Sequence, residues 1–543
     1  MRRVNLFAFF SLVLGLTACG GGGGDGGTAA SGSSAASNFP PQVPLTFTGA
    51  TTAATVTATS GGMLASNVIG ASTAAAGSSL LSGVSAQAGT AAAQPTGAVG
   101  VMRRLAQAIR ADALAHPGGS ALAGAAVDQT IACDSGSMHI SGTLADNGTG
   151  TVTVAYNDCR TGSDTLTGPA SVKVNSYDAT NKLITDGVVS FTRVRFTGPG
   201  VNSDFTGTLA TQVDVGNATE TLTQNIVTQD NNTQRMTRTQ NLVVANHFDD
   251  VTSPSFFTQS VNGRVFDSAA GFVDVTSTTA PFTAPWGPLY FATKTQSFPN
   301  WGIIDVTGGT GHVRITSFGI DLAKVEVDAN GDGTFENSAR MRWSDFGSAI
   351  GSDLADNDGD GMHNSWETAM GLNPNDQSDA NADADGDGFS NKTEYLAGGD
   401  PRTNGSVPAA VRHLWVTDVS DLAVDPASGM INVFIGDNTG SGILLDPVTR
   451  ELGAAFSGVA EPNGSGNTSV TDAQGRTFTL TPTAVPTNWT LTSSTGASLT
   501  ITSVAGTTPG SLIRYGAHGL AFRTVGASSP GYIYLVESTA LVP

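Results

Sequence analysis

Residues 218–248 read "ATETLTQNIVTQDNNTQRMTRTQNLVVANHF", and this stretch decides the fold of the largest part of the chain. On both sides of "QDNN", apolar and polar side chains alternate with a period of two, which is typical of half-buried strands. Nearly every residue on the outward side is Thr, Gln, Asn or Arg. The stretch therefore predicts a long hairpin in an antiparallel sheet with at least one solvated face.

The same alternation extends on both sides of this hairpin. Segments such as "ASVKVNSYD", "VVSFTRVRFTG" and "DFTGTLATQVDVG" show it, and Asn, Asp, Gly or Pro separate them. The 68 glycines and 7% aromatic residues also favour many short strands and turns over long helices. We therefore predict a mainly β protein with a large antiparallel β-domain over residues 127–350.

The charge of the chain excludes one class of partner. The formal net charge is −20, and no segment clusters Lys and Arg among aromatic residues. A phosphate backbone would be repelled. We therefore expect no nucleic-acid partner.

Two acidic stretches stand out in a chain with only 13% charged residues. They are "DNDGDGMHNSWE" at 356–367 and "DADGDGFSNKTE" at 383–394, and both carry oxygen-bearing side chains at positions 1, 3, 5, 9 and 12 and glycine at position 6. Calcium takes about six to eight oxygens, which such a loop supplies from alternate side chains, the position 7 carbonyl and both oxygens of a final Glu. Glycine at position 6 permits the sharp turn. The predicted calcium ligands are Asp356, Asp358, Asp360, Met362, Asn364 and Glu367 in the first loop, and Asp383, Asp385, Asp387, Phe389, Asn391 and Glu394 in the second.

The surroundings of these loops indicate a family. Short helices are expected in "SWETAMG" and "KTEYLAG", each closed by glycine, whereas no helix is expected before the second loop. With "GLNPND" between the loops and "GGDP" after them, residues 351–405 resemble the thrombospondin type 3 repeats of bacterial surface proteins. The resemblance implies a short calcium module that becomes ordered on binding the ion, with Asp376 and Asp379 as additional bridging acids. Twelve acids against the single base Lys392 in residues 353–400 agree with a segment that needs cations to pack.

A third, incomplete loop occurs in "VDANGDGTFENSARMRW". Asp328, Asn330 and Asp332 repeat the spacing, but position 12 is Ala339, so the final carboxylate is missing. Two interpretations stay open, a calcium site or a hairpin turn. The strand-like neighbours "KVEV" and "ARMRW" favour the turn.

The N-terminus has the three parts of a secretory signal. In "MRRVNLFAFFSLVLGLTAC", two arginines precede an apolar run and small residues, a run too short to span a membrane. The ending at Cys19 resembles the lipobox of bacterial lipoproteins, which implies removal of residues 1–18 and lipidation of Cys19; the alternative is an ordinary cleaved signal. In the Gram-negative family, a residue other than Asp after the cysteine, here Gly20, implies transport to the outer membrane. The sequence does not decide between the periplasmic face and the cell surface. Residues 19–45 are predicted to be a Gly/Ser/Ala-rich tether.

Residues 46–126 are rich in Ala and Ser, and both packing and disorder are open for them. An amphipathic helix is expected near 98–115, either packed on the β-domain or in contact with a membrane. Two further cysteines, Cys133 and Cys159, follow. In an oxidising exported location they predict one disulfide closing a hairpin, with two buried thiols as the alternative.

The last part, residues 406–543, returns to strand patterns. "VSDLAVDPASGMINVFI" followed by "GILLDPVTREL" resembles a blade of the bacterial YVTN-type β-propellers. The length allows roughly three blades, whereas closed propellers have about four to eight. We therefore expect a C-terminal β-domain that is a partial propeller or a sandwich.

Enzyme signatures are lacking: the sequence has no G-x-S-x-G elbow, no phosphate-binding loop and no local pair of zinc-binding histidines. The favoured function is a lipid-anchored, calcium-binding cell-surface protein with a structural, adhesive or binding role. Its partners would be the membrane and a protein or glycan at the cell surface. The alternative is a surface hydrolase, for example of glycans, that uses carboxylates of the β-domain; a cleft with paired carboxyls of raised pKa would favour it.

Overall fold

The fold was analysed in a computed structural model. The structure describes residues 42–76, 126–181, 183–198, 201–248, 257–277, 289–291, 299, 301–318, 322–404, 411–416, 419–435, 439–462, 466–483, 488–502, 507–516, 519–526 and 531–537. The predicted signal peptide with Cys19, the tether up to residue 41 and the predicted helix near 98–115 lie outside these residues. The described chain is mainly β, as the sequence predicted.

Fifteen strands form one large antiparallel sheet. They are β1 (Ala126–Ala132), β2 (Ser135–Leu144), β3 (Gly150–Thr161), β4 (Asp164–Asp178), β5 (Leu183–Gly198), β6 (Val201–Asp214), β7 (Thr219–Asp230), β8 (Met236–Phe248), β9 (Phe257–Asp267), β10 (Gly271–Ser277), β11 (Leu289–Phe291), β12 (Trp301–Thr307), β13 (His312–Phe318), β14 (Leu322–Asp328) and β15 (Asn337–Arg342).

The sheet is a meander in which each strand lies beside the next one in the chain. The exception is the short β11, which pairs with β9 and β12, so that β10 also pairs directly with β12. β7 and β8 are the hairpin predicted from residues 218–248, with Thr219 opposite His247. Among the described residues, the two edge strands β1 and β15 do not pair with each other.

The inner face of the sheet encloses a helix, α1 (Ala58–Ala76). Along β4, for example, Leu166, Ala170, Val172 and Val174 are buried, while the residues between them are at least partly exposed except at Gly168. These side chains belong to one apolar core that also includes α1 residues. Alternation along each strand therefore reflects one face in the core and one face in solvent.

Helix α1 was not predicted, and its composition explains why. Its sequence "ATSGGMLASNVIGASTAAA" has two adjacent glycines and few large apolar residues. A Cβ on Gly61 would lie 2.7 Å from Cγ2 of Val327, and one on Gly62 would lie 2.1 Å from the carbonyl oxygen of Gly351. The helix therefore needs small residues to pack this closely, and the same small residues weaken its hydrophobic pattern.

A buried carboxylate joins α1 to the sheet. Asp267, at the end of β9, accepts hydrogen bonds from Asn67 of the helix at 3.0 Å and from Nε of Arg235 at 2.7 Å. Asp267 is almost completely buried, so its charge is compensated by the guanidinium and by hydrogen bonds. The position of α1 against β8 and β9 is thereby specified by polar as well as apolar contacts.

The predicted disulfide is present. Cys133 and Cys159 are bonded, with their Cα atoms 5.4 Å apart. Cys133 follows β1, and Cys159 lies near the end of β3, so the bridge closes the β2–β3 hairpin across its open end. It therefore reinforces the edge of the sheet at which β1 lies.

After β15 the chain forms a small module with little regular structure. It contains a 3-10 turn at Trp343–Asp345, helix α2 (Asn364–Met370), a second 3-10 turn at Asp379–Asn381 and helix α3 (Asn391–Ala397). A separate small core of Met362, Trp366, Met370, Ala380 and Tyr395 holds these pieces together.

The C-terminal part contains three four-stranded antiparallel sheets that share one apolar core. The first sheet has β17 (Val419–Val424), β18 (Ile431–Ile435), β19 (Gly442–Leu445) and β20 (Leu452–Phe456), and the second has β21 (Ser469–Thr471), β22 (Thr477–Pro482), β23 (Asn488–Ser493) and β24 (Ser498–Thr502). The third combines β16 (Val411–Val416) with β25 (Thr507–Tyr515), β26 (Gly519–Gly526) and β27 (Gly531–Glu537). The first strand of this region thus completes the last sheet. The C-terminal region is therefore a β-domain of antiparallel sheets, as expected, and the expectation of a partial propeller or a sandwich stays a prediction.

Candidate calcium sites

The two acidic loops have the same backbone fold. In the first loop, Asp356 accepts hydrogen bonds from the backbone N–H groups of Gly359 at 2.8 Å and Gly361 at 2.9 Å. In the second, Asp383 accepts from Gly386 at 2.7 Å and Gly388 at 2.9 Å. The sixth-position glycines have φ of 93° and 96°, a left-handed conformation that disfavours other residues. These hydrogen bonds therefore hold each loop in a tight turn around the side chain of its first aspartate.

The aspartates at the third and fifth positions also accept backbone hydrogen bonds, each through one carboxylate oxygen. In the first loop, Asp358 accepts from the backbone N–H of Asp360 at 3.2 Å, and Asp360 accepts from that of Met362 at 2.7 Å. In the second, Asp385 and Asp387 accept from the residues two positions on, at 3.2 and 3.0 Å. The other oxygens of Asp358, Asp360 and Asp385 are buried, with no hydrogen-bond partner within the described part of the chain.

The most unusual groups are the glutamates at position 12. Glu367 and Glu394 are both 0% exposed, and none of their four carboxylate oxygens has a hydrogen-bond partner among the described residues. Burial raises the pKa of Glu367 to about 8, and the neighbouring Asp360 and Asp358 add to the rise. Burial also raises the pKa of Glu394 to about 8, with repulsion from Asp385 and Asp387. A buried carboxylate without partners is unfavourable unless it is protonated or bound to a cation.

Helices α2 and α3 position these two glutamates. Each glutamate lies in the first turn of its helix, where the positive end of the helix dipole favours a carboxylate. Each helix then ends at a glycine in the left-handed conformation, Gly371 and Gly398, as the sequence predicted. The seven-residue helices therefore serve mainly to turn Glu367 and Glu394 back toward their loops.

The asparagines at position 9 stabilise the loops through hydrogen bonds. The side-chain oxygen of Asn364 accepts the backbone N–H of Asn357 at 3.0 Å, and that of Asn391 accepts the backbone N–H of Ala384 at 3.2 Å. Each oxygen thus holds the second residue of its own loop. Position 9 was predicted to supply a ligand, and an amide oxygen keeps a second lone pair for that role.

One difference between the two loops is a carboxylate from outside the loop. Asp379 lies close enough to Asp360 and Glu367 for the three to share one ion, and its Oδ1 is buried without a hydrogen-bond partner among the described residues. Its other oxygen accepts the backbone N–H of Asn373 at 2.9 Å. Asp376, which the resemblance also implied, instead accepts hydrogen bonds from Ser378 and joins no such cluster.

A lysine contact joins the two loops to each other, and a tyrosine contact joins the module to the sheet. The ammonium group of Lys392, in the second loop, donates to the backbone carbonyl of Asp360 in the first. The phenol oxygen of Tyr395 lies 2.9 Å from Nδ1 of His363 and accepts the backbone N–H of Arg340 in β15 at 2.7 Å. Sequence analysis missed Tyr395 and His363 because neither is an oxygen ligand at a loop position.

The third loop is the turn between β14 and β15. Asp328 accepts from Gly331 at 2.6 Å and Gly333 at 2.9 Å, so the turn is wound as in the calcium loops. Its acids Asp328, Asp332 and Glu336 lie close together. However, Ala339 is buried in β15, and no unpartnered buried carboxylate of this turn occurs in the described chain. These features favour the hairpin-turn interpretation.

Comparison with known proteins found no matching family model and no matching curated protein. Within the described residues, no helix has both the length and the apolar character needed to cross a membrane.

Proposed function

We propose that this chain is a lipid-anchored, calcium-binding cell-surface protein with a structural, adhesive or binding role. The observation that carries the calcium part is the pair of fully buried glutamates, Glu367 and Glu394, whose oxygens lack hydrogen-bond partners in the described chain. In both loops the buried carboxylate at position 12 lacks a partner for its negative charge. A hard divalent cation that prefers oxygen ligands would be such a partner.

The ligand set of each site follows from the oxygens that the loop leaves available. The first site would use Asp356, Asp358, Asp360, the carbonyl of Met362, the amide oxygen of Asn364 and both oxygens of Glu367, with Asp379 in addition. The second would use the equivalent groups of Asp383, Asp385, Asp387, Phe389, Asn391 and Glu394. Calcium fits this donor set better than zinc, which prefers Cys and His, and better than magnesium, which keeps several waters.

Calorimetric titration of the full chain with calcium tests this proposal. We expect two sites with dissociation constants of about 0.1 to 1 mM, the range of extracellular modules. Glu367→Gln and Glu394→Gln should each abolish or strongly weaken one site, because each removes a bidentate ligand. Asp328→Asn is the matched control, since its turn lacks the final carboxylate, and it should leave both sites intact. Heat and stoichiometry unaffected by both glutamate changes would refute the proposal.

The anchor is proposed from the lipobox-like ending at Cys19 and the tether that follows it. Two or three acyl chains hold a protein stably on a membrane, since each buried methylene contributes about 0.8 kcal/mol. Labelling with a fatty-acid analogue should mark the wild-type chain and not Cys19→Ser. Equal labelling of both chains would show that Cys19 is not the acylated residue.

The outer face of the large sheet supports a binding role. Ser141, Thr153, Ser171, Ser190 and Thr208 lie side by side on five successive strands, and none of them is buried. This is an extended hydroxyl-bearing surface suited to contact with a protein or a glycan. Its acids give less support to a hydrolase: burial raises the pKa of Asp164, but Asp164 belongs to none of the clusters of three or more acidic, His or Cys side chains in the described chain.

Two other acids of the sheet, Asp204 and Asp305, are stabilised in their charged form. Burial raises the pKa of Asp204, but hydrogen bonds from Arg195, Asn231 and Arg193 outweigh it, and the net shift is downward. Asp305 shows the same balance, with hydrogen bonds from His312 and Arg314. Acids held as carboxylates by arginines are poor proton donors at neutral pH. They therefore favour the binding role over glycan hydrolysis.

A further inference from the structure

The two edge strands of the large sheet differ in whether their outward backbone groups have hydrogen-bond partners. At β15, the phenol oxygen of Tyr395 accepts the backbone N–H of Arg340, and Asp345 accepts that of Arg342 at 3.0 Å. Tyr395 of the module and the turn that directly follows β15 thus take up backbone N–H groups that an edge strand would leave unpaired. At the opposite edge, β1 pairs with β2 along its whole length and has no strand on its other side in the described chain.

The side chains of β1 are also incompletely covered. Val127 and Ile131 face inward and pack against the core, yet both remain partly exposed, and Gln129 between them is exposed. On the outer face, the side chain of Asp128 is 62% exposed, and Thr130 is exposed as well. An edge strand with unpaired backbone and half-exposed apolar side chains is a template for another strand.

We propose that β1 pairs antiparallel with β1 of a second copy of this chain, with the two-fold axis at Gln129. In this register Val127 lies opposite Ile131 of the other copy on the inner face, twice by symmetry. Asp128 lies opposite Thr130 on the outer face, so no like charges meet. The inner faces of the two sheets become continuous, as an isologous contact requires.

Other registers are less favourable. An axis at Asp128 would place two aspartates directly opposite each other, which is destabilising. An axis at Thr130 would place Gln129 opposite Ile131, so the apolar pairs would be lost. An axis between two residues would bring the inner face of one copy beside the outer face of the other, since side chains alternate along a strand. The sequence of β1 is therefore self-complementary in the register centred on Gln129.

The contact is small, so the expected association is weak. A strand of seven residues buries much less area than a standard stable interface. We therefore expect a dissociation constant of about 1 mM in solution. A cross-link that traps the pair is more informative than a binding curve alone.

Gln129→Cys in the full chain tests the pairing. Residues directly opposite in an antiparallel pair have Cβ atoms about 4.5 to 5.5 Å apart, within reach of a disulfide after small adjustment. Under mild oxidation at about 1 mM protein, most of the chain should become a dimer linked through residue 129, with the Cys133–Cys159 bridge intact by peptide mapping. Thr153→Cys, exposed on the outer face of β3 in the interior of the sheet, is the matched control and should stay monomeric. Equal cross-linking of the two variants would overturn the proposal.

A second pair of variants tests the contact without a cross-link. Gln129→Lys places two ammonium groups at the axis and should abolish self-association in sedimentation equilibrium, whereas Gln129→Ser should retain it. Both variants should keep the circular dichroism of the wild type, since residue 129 is exposed. Equal self-association of the two, or stronger cross-linking through Asp128→Cys than through Gln129→Cys, would refute pairing in this register.

Discussion

The phenol oxygen of Tyr395 accepts the backbone N–H of Arg340 at 2.7 Å, and this bond joins the module of the two acidic loops to the last strand of the large sheet. The same oxygen lies 2.9 Å from Nδ1 of His363. Nε2 of His363 lies 2.9 Å from the carbonyl oxygen of Ile350 and donates to it, so Nδ1 accepts from the phenol. Burial lowers the pKa of His363 to about 4, which keeps the ring neutral at pH 7. His363 of the first loop and Tyr395, which follows the second loop, therefore meet at one sheet edge.

Tyr395→Phe should destabilise the protein by about 1 to 3 kcal/mol, because it leaves a buried N–H and a buried imidazole nitrogen without partners. Calcium stoichiometry should not change, since Tyr395 supplies no ligand. Urea unfolding of calcium-loaded protein measures the effect, with calorimetric stoichiometry as the control. An unchanged free energy of unfolding would mean that the bond does not contribute to stability.

Asp379→Asn should weaken the first calcium site by about tenfold, because one anionic ligand is lost and charge count tunes affinity in such sites. The measurement is calorimetric titration in the Glu394→Gln background, where only the first site binds. Asp376→Asn is the matched control, because Asp376 is exposed and bonded to Ser378. Equal effects of the two changes would indicate a general loss of charge, not a lost ligand.

Calcium affinity should fall as the pH is lowered below about 8, by up to tenfold per pH unit at each site. The reason is that burial raises the pKa of Glu367 and of Glu394 to about 8 in the calcium-free protein, and a carboxyl must lose its proton to bind the ion. Binding at pH 7 should therefore release protons. Titrations in buffers with different ionisation enthalpies measure this release, and a heat independent of the buffer would contradict the prediction.

The raised pKa values of Glu367 and Glu394 also determine how the stability of the calcium-free protein depends on pH. Between a pKa of 4.5 and one of about 8, the folded calcium-free protein holds more protons than the unfolded chain. The free energy of unfolding should therefore decrease as the pH rises through this window. Excess calcium should reduce or reverse the decrease, since it takes the place of the protons. Urea unfolding at several pH values, with calcium or with chelator, tests both statements.

Removal of the disulfide by the double change Cys133→Ser and Cys159→Ser should lower the free energy of unfolding. In the chain-entropy model, a bridge across 26 residues stabilises by about 3.5 kcal/mol. Urea unfolding measures the loss. Cys19→Ser changes a cysteine without removing the Cys133–Cys159 bridge, so it is the matched control and should unfold as the wild type does.

Local patterns in the sequence were sufficient for much of the fold and the site. Alternation with period two along residues 218–248 predicted the β7–β8 hairpin, because a strand with one buried face must alternate. The spacing of Asp356, Asp358 and Asp360 predicted a wound loop, because every hydrogen bond that winds it joins residues within five positions of each other. The pairing of Cys133 with Cys159 followed from the expectation of an oxidising location, since no other cysteine remains after Cys19.

Other features depend on contacts between residues far apart in the chain, and only the tertiary structure decided them. Helix α1 has too little hydrophobic pattern to be predicted, and it is stable because it packs into the apolar core of the large sheet. The C-terminal β16 completes a sheet whose other strands begin almost one hundred residues later, so no local pattern indicates its partner.

The sequence by itself determined which oxygens each acidic loop offers to a cation, because that depends only on residue type and on spacing within twelve positions. The tertiary structure decided that Glu367 and Glu394 are fully buried, that Asp379 joins the first site, and that Tyr395 joins the module to β15. These are consequences of packing Met362, Trp366 and Tyr395 into one small core. Burial is a property of the assembled chain, and it is burial that makes an unpartnered carboxylate require a cation or a proton.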